Sequence, residues 1–84
     1  MAGIVLKNDV CMLRKEISGG FTLLVYGTRI LDGIPCRDWV ESLSIYPSGY
    51  VHDILGRTSY VGFDDIREYA TMVFELETLR RQSR

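Results

Sequence analysis

The last quarter of the chain, Phe63 to Gln82, constrains the fold most, because it reads as one helix carrying more apolar surface than a single sheet contact uses. Asp64 and Asp65 suit the N-cap and the positive end of the helix dipole, and Arg80, Arg81 and Arg84 suit the negative end. Two apolar rows run between them. Ile66, Ala70, Val73 and Phe74 form one, and Tyr69, Met72, Leu76 and Leu79 form the other, at spacings of three, four and three. Together they span roughly 220° of the helical wheel, whereas a core-facing stripe needs about 100°. The first row is rich in compact β-branched and aromatic groups and is expected to face a core. The second is left with two readings: a curved sheet wraps the helix and buries it, or it forms a dimer interface or a partner groove. Glu77 and Arg80 fall inside the apolar arc, which leads us to expect last turns that overhang the sheet.

What precedes the helix reads as strands. Ile4 to Leu6 suits a short edge strand, and Asn8-Asp9 suits a turn. Residues 10–26 read as a β-hairpin about Ser18-Gly19-Gly20, where glycine supplies the backbone conformation of a tight turn. Gly27 breaks the second strand, Thr28 to Leu31 continues or restarts it, and Asp32-Gly33 signals another turn. Residues 35–42 stay open between helix and strand. Pro35 fits a first helical turn and Cys36, Trp39, Val40 and Leu43 have helical spacing, but Trp39, Leu43 and Ile45 also fit one face of a strand. Residues 43–55 read as a second hairpin about Tyr46-Pro47-Ser48-Gly49-Tyr50, and 56–62 as a loop with a short strand at Ser59 to Val61. Strands first and a helix last give a single α+β domain over 1–84: an antiparallel meander of about four strands packed on one C-terminal α-helix.

At 84 residues, with 46% hydrophobic and 25% charged residues, the chain can build one modest core. Its net charge of −1 argues against binding nucleic acid mainly through phosphates, though not against a local basic patch. The sequence leads us to expect no signal peptide and no membrane helix. Cys11 and Cys36 form no CxxC pair and are expected to be reduced thiols of a cytoplasmic protein, and two cysteines with one histidine cannot build a standard zinc site.

No catalytic or cofactor motif stands out. His52-Asp53 lies on an expected strand, where neighbours point to opposite faces, so Asp53 would not readily orient His52 for catalysis. Ser18-Gly19-Gly20 lacks the Lys and Ser/Thr of a phosphate loop. Asp64, Asp65 and Glu68 are acidic, but capping already accounts for them. Neither a metal nor a cofactor is expected. The aromatic set Tyr46, Tyr50 and Tyr60 carries more interest. Tyr46 and Tyr50 bracket the Pro47 turn, where they either brace the hairpin or meet a partner, with Asp53 and Arg57 as a polar rim. Arg14, Lys15 and Arg29 may share part of the first hairpin, a face that could contact single-stranded nucleic acid.

These features lead to an expected non-enzymatic, cytoplasmic protein-binding module that occupies a partner's surface. Tyr46, Tyr50, Asp53 and Arg57 are its expected partner contacts, and Tyr69, Met72, Leu76 and Leu79 its homodimer interface. The profile is that of small phage or mobile-element accessory proteins, including inhibitors of host defence complexes. The alternative is a small single-stranded nucleic-acid-binding protein using the first β-hairpin. A small enzyme or metal-dependent protein stands third.

Overall fold

The computed structural model describes residues 2–62 and 65–83. Six strands come first: β1 (Gly3–Lys7), β2 (Cys11–Lys15), β3 (Phe21–Leu31), β4 (Ile34–Ile45), β5 (Tyr50–Asp53) and β6 (Thr58–Tyr60). The helix α1 (Ile66–Gln82) follows. The strands form one antiparallel sheet in the order β1-β2-β3-β4-β5-β6, so every chain neighbour is also a sheet neighbour. The α+β meander packed on a C-terminal helix is therefore the fold, with six strands where about four were expected.

The additional strands come from the short edges and from the ambiguous stretch. Residues 35–42 belong to β4, not to a helix. The cause is the Asp32-Gly33 turn. Asp32 has φ 52° and Gly33 φ 78°, the paired positive values of a two-residue hairpin loop whose twist matches that of the flanking strands. Leu31 then lies opposite Ile34 and Ile30 opposite Pro35. Pro35 thus sits beside a hairpin tip and opens no helix. The pairing continues without interruption to Leu24↔Glu41, and only there does a β-bulge shift the register to Leu23↔Leu43.

β3 is central and its first half is buried on both faces, from Phe21 to Val25. Phe21, Leu23 and Val25 point at α1 and join Cys11, Leu13, Ile45, Val51, Ala70 and Phe74 in the core. Thr22 and Leu24 point to the other face. There Thr22 lies between Arg14 and Ser44, and Leu24 between Met12 and Glu41.

Asp65 caps α1, its carboxylate accepting the Arg67 N–H at 3.0 Å. The expected start at Phe63 and Asp64, and Arg84 at the far end, lie outside the described residues. Ala70 and Phe74 are buried, with Ile66, Tyr69 and Val73 packed against the core beside them. The first expected row is thus the core row, and Tyr69, placed in the second, also leans on the core.

The last turns do not overhang. Asn8, in the β1–β2 turn, donates from Nδ2 to Thr78 Oγ1 at 3.0 Å and accepts the Val10 and Cys11 N–H groups on Oδ1 at 2.9 and 2.8 Å. One side chain thereby closes the turn and ties it to the helix. Glu77, only 15% exposed at its side chain, is shielded by Arg80 and Arg81, which both bind its carboxylate. A polar residue inside the apolar arc is thus accommodated by pairing, not by projection beyond the sheet.

Candidate interaction surfaces

β3 and β4 run past the helix-covered core as a two-stranded arm. From Thr28 to Pro35 every residue is exposed. The arm ends in Ile30 (63% exposed), Leu31 (47%) and Ile34 (63%), with Pro35 opposite Ile30. Side chains alternate along a strand, so the Ile30/Pro35 pair takes one face and the Leu31/Ile34 pair the other. Sequence reading missed this tip because 35–42 was open between helix and strand. The signal was nevertheless present. A two-residue Asp-Gly loop places residue i opposite residue 65 − i, which brings Ile30 beside Pro35 and, further down, Tyr26 beside Trp39.

The expected partner contacts fall into two places. Tyr46 and Tyr50 flank a turn closed by the Tyr46 N–H to the Tyr50 carbonyl at 2.8 Å and the Gly49 N–H to the Tyr46 carbonyl at 3.0 Å. Both are exposed, and Tyr50 packs edge-to-face on Tyr60 with centroids 5.4 Å apart. That contact braces β5 against β6, while the exposed parts of the rings stay available. Asp53 and Arg57 belong to the opposite end of β5, roughly 10 Å along the strand. Partial desolvation works against the Asp53 carboxylate. The N–H groups of Arg57 and Leu55 and the Arg57 guanidinium outweigh it and hold Asp53 below the usual carboxylate range. Asp53 therefore closes the β5–β6 turn, accepting from Leu55 N–H at 2.9 Å, Arg57 N–H at 3.0 Å and Arg57 Nε at 2.7 Å.

The expected helix row divides as well. Met72, Leu76 and Leu79 are 38, 58 and 64% exposed and form an apolar stripe on the outer side of α1, whereas Tyr69 packs at its inner margin.

Arg14, Lys15 and Arg29 do not form one patch. Lys15 follows Arg14 on β2 and so points to the other face. Arg14 binds Glu16 at 2.6 Å and Glu41 at 3.3 Å, and Arg29 binds Asp38 at 3.4 Å. Arg14 and Arg29 do line one shallow hollow together with Leu24, Trp39 and Glu41.

His52 is exposed and lies opposite Ser44 and Thr58, while the Asp53 carboxylate is occupied in its own turn. Both cysteines are free thiols. Burial pushes the Cys11 thiol above its ordinary value, against a hydrogen bond with Thr78. Among the described residues, no group of three or more His, Cys, Asp or Glu side chains converges as a metal site.

Comparison with protein-family models, curated proteins and solved structures yields no match.

Proposed function

We propose that this chain is a non-enzymatic binding module that acts by seating the tip of its β3–β4 arm on a protein partner. The observation that carries the reading is the exposed apolar tip: Ile30, Leu31 and Ile34, with Pro35 beside them, on both faces of an arm that α1 does not cover. Three large apolar side chains held in water by a regular, turn-locked hairpin serve no core. Apolar groups clustered at a protruding edge mark contact surfaces. The fixed turn also limits the ordering cost of association, because the tip is already shaped when it meets its partner. The Met72, Leu76 and Leu79 stripe supports a second contact, a homodimer through the outer side of α1. Tyr46 and Tyr50 supply a further aromatic contact at the far end of the sheet.

Among the described residues no helix is long and apolar enough to cross a membrane. Action on a host complex, as in an accessory inhibitor of a mobile element, is the setting in which a small occupying module of this kind would work, and we propose it in that coarse form.

The test is a photo-crosslinking amino acid placed at Ile34, with the exposed turn residue Ser48 as the control position, in cells that express the protein natively. The reading requires a discrete adduct from position 34 that is absent from position 48. A diffuse smear from both positions would contradict it. An adduct of twice the monomer mass would identify the partner as a second copy.

A further inference from the structure

The face of the sheet that α1 leaves open carries a file of four side chains that neither the core nor the arm tip uses. Lys7 of β1 places Nζ 5.6 Å from the centre of the Trp39 ring. Trp39 of β4 meets Tyr26 of β3 edge-to-face, centroids 5.4 Å apart and planes at 66°. Arg37, two residues from Trp39 on the same face, stacks its guanidinium 4.9 Å from the centre of the Tyr26 ring. Cation, ring, ring and cation follow one another across the sheet. Tyr26 is 37% exposed, Trp39 is half-buried, and both cations are exposed.

The charge at this file differs from that of the whole chain. Arg14 is bound to Glu16 and Glu41, and Arg29 to Asp38, so each nearby carboxylate is already paired. Lys7 and Arg37 make no ion pair among the described residues. The rings are thus flanked by two uncompensated positive charges in a chain of net charge −1.

That pattern selects its ligand. A cationic ligand would compete with Lys7 and Arg37 for the same ring faces and be repelled by them. An apolar segment would desolvate both charges without repaying the cost. A ligand that alternates flat π surfaces with negative charge meets both demands: its bases stack on the rings and its phosphates meet the cations. A duplex offers its phosphates but keeps its base faces stacked inside, out of reach of these rings. We propose that the open sheet face binds single-stranded nucleic acid over a short stretch, with Trp39 and Tyr26 as stacking rings and Lys7 and Arg37 as phosphate contacts. This site is separate from the arm tip and from the first hairpin cations.

Trp39 is the only tryptophan, so its emission reports occupancy directly. The experiment titrates the intact protein with oligothymidylate and oligouridylate of about ten nucleotides, starting at low salt. Saturable quenching is expected, with a dissociation constant on the order of 10⁻⁵ to 10⁻⁴ M, as for contacts of this sequence-independent kind. Binding of either oligonucleotide supports the proposal, and the tighter one shows whether RNA or DNA is the source. With two phosphate contacts, the logarithm of the binding constant should fall with the logarithm of salt with a slope of about −1.4. Lys7→Gln and Arg37→Gln should each bring the slope towards about −0.7. Both positions are exposed, so circular dichroism of these variants should match the wild type. The proposal is overturned by an absence of quenching, by equal binding of polyglutamate or inorganic polyphosphate, by equal or tighter binding of duplex DNA, or by an unchanged slope in both variants.

Discussion

Single residues set the tightest limits on this fold. A Cβ at Gly20 would lie 2.4 Å from the Ile45 carbonyl oxygen, a backbone atom fixed in β4, so no side chain can move aside to make room. Gly20→Ala should therefore destabilise the protein by about 1–3 kcal/mol, the usual cost of overpacking. Urea unfolding measures it, and an unchanged midpoint would show that the β2–β3 turn approaches β4 less closely. Glu77 sets a pH limit. Hydrogen bonding from Arg80 above all, and then from Arg81, holds its carboxyl below its ordinary range, against partial burial. A carboxyl depressed in the folded state stabilises the fold above its unfolded pKa and loses that contribution as pH falls through the folded one. Stability attributable to Glu77 should thus be complete at neutral pH and decline once the pH drops below about 4.3, the ordinary value for glutamate. Glu77→Gln should flatten that acid limb in thermal melts taken across pH. A limb of the same depth in the variant would assign the acid loss to other carboxylates.

Among the elements, α1 separates packing from association. Its inner side holds Ala70 and Phe74 in the core, and its outer side exposes Met72, Leu76 and Leu79. Phe74→Ala should cost about 3–5 kcal/mol through lost burial and a residual cavity. Leu76→Glu with Leu79→Glu should leave the circular dichroism near native, and light scattering should show less dimer than for the wild type at the same concentration. A wild type that stays monomeric at high concentration would remove the homodimer and leave only a foreign partner for this stripe. The inner row was legible in the sequence, because Ile66, Ala70, Val73 and Phe74 recur at helical spacing and the fold honours it. The anchoring of the last turns was not, since the hydrogen bond from Asn8 to Thr78 joins residues far apart in the chain. The arm was half legible. Asp32-Gly33 announced a hairpin, but the helical spacing of Cys36, Trp39, Val40 and Leu43 competed with it. The competition is settled by pairing with β3, a non-local term that periodicity does not contain. For the same reason Trp39 and Tyr26 were not seen together, although counting back from the turn pairs them.

For the whole molecule, the division of labour follows from where the sheet is covered. α1 seals the first half of β3 with its neighbours, and everything beyond Tyr26 on the arm is left to solvent. A lone two-stranded ribbon gains little stability of its own, so an arm of this length with an apolar end calls for a use. We assign that use to a protein partner. Ile30→Asn with Ile34→Asn tests the assignment most directly, in a protein carrying the photo-crosslinker at Leu31 and expressed in its native cells. The account predicts a melting temperature within a few degrees of the parent, because the tip buries nothing in the core, together with loss of the discrete adduct. An adduct of unchanged intensity, or a destabilisation of more than about 2 kcal/mol, well above the ordinary effect of a surface substitution, would contradict it.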